Sequence, residues 1–198
     1  MGTMLETLPT QQELTDAVAV LCRRSFLDFI AEVKPDYEFN WHHLQIIDAL
    51  QRLAERKYQR LIVMCPPRHG KSELVSVLFP AWCFARNSSE HIIVSSYALG
   101  LASRMNRECQ RILSSDVFTA IFPNITFAKD TEPGAIRTNE RFDVVGGGHY
   151  VAAGVGGGIT GVGATIGIID DPVKNSEEAD SATYREKAWE WYTTTFTT

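Results

Sequence analysis

The stretch Cys65-Pro66-Pro67-Arg68-His69-Gly70-Lys71-Ser72 sets a permissive glycine, a lysine and a hydroxyl side by side. It follows the apolar run Leu61-Ile62-Val63-Met64, expected to be the first strand, and precedes a helix-compatible segment. A strand, a tight loop and a helix in that order wrap backbone N–H groups around the phosphates of a nucleotide. Gly70 turns the backbone without a Cβ clash. Lys71 carries a point charge on a stem long enough for the β- and γ-phosphates. Ser72 offers its hydroxyl to Mg²⁺, and the new helix aims its positive dipole end at the anion. The ligand class is a nucleoside triphosphate with Mg²⁺. Cys65 stands where the usual loop pattern has its first glycine, and Pro66 and Pro67 have no N–H to give. The cradle therefore rests on residues 68–72, with Arg68 and His69 as further sources of charge. The plainer alternative is a chance Gly-Lys-Ser in a surface turn.

About a hundred residues on comes Thr165-Ile166-Gly167-Ile168-Ile169-Asp170-Asp171. A short apolar run of this kind reads as a buried parallel strand. Ligands of open α/β sheets sit at the carboxyl ends of strands, where this run carries two carboxylates. Asp170 is thereby expected beside Ser72 as a Mg²⁺ ligand, directly or through water. Asp171 is placed to orient an attacking water. Such pairs are more often Asp-Glu, and the shorter side chain retracts the second carboxylate by roughly 1.5 Å, one C–C bond. Glu177 or Glu178 could take that part, or could charge the first turn of the next helix. Taken alone, Asp170-Asp171-Pro172 also reads as a strand-ending turn.

The elements that must hold these groups are legible in outline. Thr10 and Glu13 form a capping box, and an apolar stripe through Leu14, Val18, Leu21, Cys22 and Phe29 runs to about Val33. A second helix is expected from Trp41 to about Lys57, with Ile47, Leu50 and Ala54 inward. The helix after the loop passes through Leu74, Leu78 and Trp82, and Pro80 should kink or shorten it. His91–Ser96 is the next strand, and Leu99–Leu113 a helix with Arg104, Arg107 and Arg111 on its polar side. Those arginines read as a solvated face, or as a face toward DNA or a neighbouring subunit. Ala135–Thr138 and Arg141–Val145 suggest a hairpin around Asn139-Glu140. Gly146-Gly147-Gly148 then turns into His149–Val155. A glycine-rich connection over 154–163 leads to the Asp170 strand, either as a wide link or as a mobile loop near the nucleotide or a subunit boundary. The last helix is expected from about Ser176 to Trp191.

The chain has 198 residues, 44% of them hydrophobic, enough for one substantial domain. No apolar run reaches membrane-spanning length, and no signal segment is visible at the start. Cys22, Cys65, Cys83 and Cys109 are scattered and read as reduced thiols; the five histidines show no metal spacing with them. A net charge of −5 argues against a generally basic coat for nucleic acid, so any DNA contact needs local patches or an assembled surface.

Several segments together resemble the ATPase domain of tailed-bacteriophage terminase large subunits, the motors that package viral DNA. The matching pieces are Trp41-His42-His43-Leu44-Gln45, Pro66-Pro67-Arg68-His69-Gly70-Lys71-Ser72-Glu73, Phe79-Pro80-Ala81-Trp82 and Ile93-Val94-Ser95-Ser96-Tyr97. Gly158-Ile159-Thr160-Gly161, Ile168-Ile169-Asp170-Asp171-Pro172 and Trp191-Tyr192-Thr193-Thr194 follow in order. The resemblance implies an α/β, RecA-like P-loop NTPase with a mostly parallel central sheet flanked by helices. It divides the chain into an N-terminal helical segment, 1–37, and an ATPase domain, 38–198. It implies ATP and Mg²⁺ as cofactors, with Arg68, His69, Gly70, Lys71, Ser72, Glu73 and Gln45 binding the nucleotide and Gln45 near the adenine. Ser72 and Asp170 would hold the metal. Lys71, Asp171 and Arg68 would carry catalysis, Arg68 as a sensor or charge stabiliser. Double-stranded DNA would be the moved substrate, and the partners a portal protein, a small terminase subunit and further copies of the chain in a ring. The place of action would be the host cytoplasm, docked on the procapsid, with no membrane involved.

The chain departs from that family twice. Val162 stands where a basic residue is often found, which leaves Arg137 and Arg141 as weaker candidates for an arginine supplied to a neighbour. The family also usually continues past Thr198 with another strand and a metal-dependent nuclease domain, so no DNA cleavage is expected of this stretch. Two other readings compete: a helicase-type RecA-like enzyme, and a non-catalytic or remnant ATP-binding assembly module.

Overall fold

The computed structural model describes residues 8–159, 161 and 163–197. Helix α1 (Gln11–Arg24) starts as its capping box requires: the Thr10 hydroxyl accepts from the Glu13 N–H at 3.2 Å, and the Glu13 carboxylate accepts from the Thr10 N–H at 2.7 Å. The single stripe expected through Val33 is instead two helices. Ser25 leaves helical geometry (φ −126°, ψ 120°) and caps α2 (Phe26–Val33) by accepting from the Asp28 N–H at 3.1 Å. This break turns Phe26, Phe29 and Ile30 into the core, while Leu14 and Leu21 remain exposed. Helix α3 (Trp41–Ala54) buries Ile47 and Leu50, as its periodicity predicts.

After the Gly70 loop, α4 (Lys71–Glu73) runs into a π-helical turn, Leu74–Leu78, and on into α5 (Phe79–Arg86). Pro80 neither ends nor shortens this run; the widened turn absorbs it. Next come β1 (His91–Ser96), α6 (Leu99–Leu113), α7 (Asp116–Ile121), β2 (Arg141–Asp143), β3 (His149–Gly154), β4 (Ile166–Ile169), α8 (Ser176–Asp180) and α9 (Ala182–Trp191). The expected C-terminal helix is thus two, parted where Ser181 adopts an extended backbone (φ −79°, ψ 119°).

The sheet order is β2-β3-β1-β4. β1 pairs in parallel with both β3 and β4, and β2 pairs antiparallel with β3, so the chain is α/β with a four-stranded mixed sheet flanked by helices. The expected hairpin is present, with the Thr138 N–H donating to the Arg141 carbonyl at 2.7 Å. The expected first strand is not. Leu61–Met64 joins no ladder, with Leu61 and Val63 against the core and Ile62 and Met64 85% and 92% exposed. Its alternation suits a strand, but a strand needs a ladder partner, and the described sheet ends at β4.

Side-chain alternation along β1 feeds two cores. Ile92 and Val94 join the main cluster with α1, α2, α3, α5 and α6. Ile93 joins Ala153, Ile159 and Trp191 on the opposite face. There the Trp191 indole donates to the Gly157 carbonyl at 3.1 Å, so the C-terminal helix and the glycine-rich connection meet over the sheet. Thr160 and Val162 lie outside the described residues. In the main core Phe26 stacks on Trp82 at 4.9 Å and meets Phe79 edge-on at 5.8 Å, while the Trp82 indole donates to the Cys22 carbonyl at 2.7 Å. Cys22, Cys83 and Cys109 are buried free thiols, and burial pushes the Cys22 thiol up to about 11. Among the described residues no helix is long and apolar enough to cross a membrane.

Two stability predictions follow from this packing. Phe26→Ala should destabilise the fold by about 3–5 kcal/mol, read as a fall in urea midpoint at unchanged slope. At the start of the sheet His91 and His149 stack at 4.3 Å, and the buried His149 Nε2 has no partner. Burial, then the charges of His91 and Arg141, lower the His149 pKa below the usual histidine range. The fold therefore prefers neutral His149: its contribution is present above the unfolded-state pKa and is lost as pH falls through the lower folded value. The melting temperature of the wild type minus that of His149→Phe should shrink as pH is taken from 7.5 to 5.

Candidate functional site

The loop is built by alternating backbone conformations. Arg68 (φ +62°) and Gly70 (φ +75°) both lie in the left-handed region, which glycine adopts freely and other residues at some strain. A Cβ at Gly70 would stand 2.9 Å from His43 Nε2 and 3.1 Å from the Tyr37 hydroxyl, so a side chain there would strain the backbone and push the His43 ring aside. Helix α3 supports the loop from behind. His43 Nδ1 accepts from the Asn40 N–H at 3.1 Å as part of the α3 cap, which leaves the ring proton on Nε2 to be donated to the His69 carbonyl at 3.2 Å. His69 Nδ1 donates in turn to the Pro67 carbonyl at 2.8 Å.

The carboxylates arrive from β4. The ladder with β1 continues beyond it: the Asp170 N–H donates to the Ser95 carbonyl, and the Tyr97 N–H to the Asp171 carbonyl at 3.0 Å. The two aspartates are thereby pinned at the carboxyl end of the central strands. Asp170 is 4% exposed. Its Oδ2 accepts from the Ser76 hydroxyl at 3.0 Å, and its Oδ1 lies 3.7 Å from the Lys71 ammonium. Asp171 takes φ +47° just before Pro172, where a residue is normally extended. Its half-exposed carboxylate receives the Lys71 ammonium at 2.6 Å. Burial opposes the charge on Lys71, but the hydrogen bond and charge of Asp171, with Asp170 behind, outweigh it and hold its pKa above the ordinary lysine range.

Two cavities flank the loop. One, of about 850 Å³, is lined by residues 66–73 and Asp171 and reaches Arg104 and Arg111 on α6. The other, of about 400 Å³, lies between residues 68–70 and the Tyr37, His42 and His43 side chains. Arg68 lines both. Arg68, His69, Gly70, Lys71, Ser72 and Glu73 therefore share one site with Asp171, and Asp170 lies directly behind it. Glu73 is engaged in an ion pair with Lys34 at the end of α2. Gln45 is exposed on α3 and lines neither cavity; the ring groups that do, besides His69 of the loop, are Tyr37, His42 and His43. Arg137 is engaged with Gln110, Ser114, Asp130 and the Phe127 ring, and Arg141 with Asp143. Neither lines the two cavities. Glu178 is occupied within its own helix start, accepting from the Lys174 N–H at 3.0 Å.

Among the described residues, no three His, Cys, Asp or Glu side chains gather as a metal cage. Mg²⁺ in phosphate-transfer sites needs few protein ligands, because substrate phosphates and water complete its shell. Ser72, which lines the larger cavity, and Asp170, whose Oδ1 lies 3.7 Å from the Lys71 ammonium, are oxygen donors of the kind such an ion takes.

The residue sequence reasoning passed over is Ser76. Its signal was spacing: it stands four residues after Ser72, on the same helix face, and four before Pro80. His43 had a signal too, three residues after the capping Asn40.

A search of curated proteins found no match. A family model described as terminase large subunit, T4likevirus-type, N-terminal, matches residues 62–198, which begin just before the loop and take in both aspartates. Over those residues the chain belongs to the N-terminal family of T4-like terminase large subunits, whose role is viral DNA packaging.

Proposed function

We propose that this chain binds Mg-ATP and hydrolyses it as the motor domain of a DNA-packaging terminase, on a RecA-like P-loop arrangement. The observation that carries the proposal is the meeting of Lys71 with Asp170 and Asp171. These groups are a hundred residues apart in sequence and come within 3.7 and 2.6 Å of one another at a cavity walled by a glycine-turned loop.

Each residue has a part set by its position. The N–H groups of residues 68–72 and the start of the helical run bind phosphate oxygens. The Lys71 ammonium, resting on Asp171, transfers to the β- and γ-phosphates and neutralises charge that develops there. Ser72 and Asp170 would hold Mg²⁺, which would supply positive charge against the phosphate oxygens. Release of Lys71 frees Asp171 to accept a hydrogen bond from the attacking water and orient it. Arg68, on the strained loop position between the cavities, is the local candidate for stabilising the transferring phosphoryl group. The nucleobase lies toward Tyr37, His42 and His43. Double-stranded DNA, a portal protein, a small terminase subunit and further copies of the chain in a ring are the proposed partners, in the host cytoplasm.

The test is Mg²⁺-dependent ATP hydrolysis by the chain and by Lys71→Ala over a range of protein concentrations. The wild type should turn ATP over at a rate that rises more than linearly with concentration, because a neighbour completes the site. Lys71→Ala should lose at least about 100-fold. ATP binding without turnover at any concentration would instead favour a binding module, and strand separation by the chain would favour a helicase. Gly70→Ala places a Cβ at φ +75° against His43. It should weaken binding of a non-hydrolysable ATP analogue about 10-fold, given the roughly 1–2 kcal/mol of left-handed strain. Calorimetric titration of the two proteins measures the difference.

A further inference from the structure

A helix interior containing proline has a known defect, and here the defect is put to use. In a regular helix the N–H of residue 80 would donate to the carbonyl of Ser76; Pro80 has no N–H, and its ring crowds that carbonyl. The chain responds by widening. The Phe79 N–H donates five residues back, to the Leu74 carbonyl, and Leu74–Leu78 becomes a π turn. The orphaned Ser76 carbonyl is satisfied from the sheet, by the hydroxyl of Tyr150 on β3 at 3.1 Å. The Ser76 side chain then donates to Asp170 Oδ2 at 3.0 Å. Ser76 and Tyr150 are both 0% exposed, so this chain of hydrogen bonds runs through a dry interior, where each bond is strong and an unpaired member is costly.

The geometry divides the Asp170 carboxylate. Oδ2 is tied down by Ser76, one helical turn below Ser72, and Oδ1 is left on the Lys71 side. We propose that Ser76 is a positioning residue, held by the Pro80 π turn and the Tyr150 hydroxyl, that fixes the Asp170 carboxylate so that one chosen oxygen faces the metal. The proposal rests on the reading of Asp170 as a Mg²⁺ ligand in an ATP site. Through it the loop helix, β3 and β4 are joined at a single carboxylate. Without the Ser76 hydroxyl, Asp170 keeps its burial and its Lys71 neighbour but loses the bond that selects its rotamer.

The experiment is Mn²⁺ binding, followed by electron paramagnetic resonance, to the full chain with a non-hydrolysable ATP analogue. The proteins compared are the wild type, Ser76→Ala, Ser76→Thr and Tyr150→Phe. Ser76→Ala should weaken Mn²⁺ binding about 10-fold or more, as expected for a lost hydrogen bond to a charged group. Affinity for the analogue without metal should stay within about two-fold of wild type. Ser76→Thr, which keeps the hydroxyl, should recover most of the loss. Tyr150→Phe, which touches neither Asp170 nor the nucleotide, should weaken Mn²⁺ about three-fold, and guards against any folding defect at position 76. A merely structural role would lower melting temperature without separating metal affinity from analogue affinity. Unchanged Mn²⁺ affinity in both Ser76→Ala and Tyr150→Phe, with the wild type binding normally, would overturn the positioning role and leave the ATP site standing. Failure of the wild type to bind Mn²⁺ with the analogue would overturn both.

Discussion

A carboxylate almost sealed from water cannot stand alone, and the site is organised around that constraint at Asp170. Taking an ionised carboxyl out of water is strongly unfavourable unless charge and hydrogen bonds replace the lost hydration. Asp170 receives both, from the Lys71 ammonium on one oxygen and the Ser76 hydroxyl on the other. Both groups belong to the helical run that begins at Gly70. The run must therefore lie against the end of β4 at one rotation and one height. The π turn sets that rotation locally, and the Tyr150 hydroxyl ties it to β3.

The rest of the fold maintains this docking. Phe79 and Trp82, from the far half of the run, are clamped by Phe26 of α2, and the Trp82 indole is bonded to the end of α1. The helices before residue 37 thus share the core that holds the loop helix, rather than standing apart from it. From the other side α3 supports the loop through His43, whose cap bond to Asn40 decides which ring nitrogen carries the proton for His69. Loop, carboxylates and helices form one over-determined unit, which is what permits positive φ at Arg68 and Asp171.

Much of this was legible from residue order. The capping box at Thr10, the strand His91–Ser96, the helix Leu99–Leu113 and the turn joining Thr138 to Arg141 all follow from local chemistry, and the structure has them where periodicity puts them. Less legible were features decided by competition between local and distant partners. The stripe from Leu14 to Val33 is continuous in pattern, yet Ser25 satisfies the Asp28 N–H and the core takes Phe26 and Phe29 from a new direction. Leu61–Met64 has the alternation of a strand but makes no ladder, because pairing depends on a neighbour that its own residues do not specify. Gln45 suited a nucleobase by chemistry, but helix rotation sets it outside the cavities and brings His42 and His43 there instead.

By itself the sequence determined the chemical inventory: a glycine that must turn, a lysine and a serine at a helix start, and two aspartates at a strand end. Spacing along one chain was enough to nominate a candidate site, because each half is a local motif. Only the tertiary structure decided which atoms meet. The hydroxyl on Asp170 is that of Ser76, one turn deeper than the residue spacing suggested, and Lys71 rests on Asp171 more closely than on Asp170. The reason is physical: a proline four residues downstream widens a helix, and the freed carbonyl is satisfied by a tyrosine 74 residues away. No local pattern contains that distance.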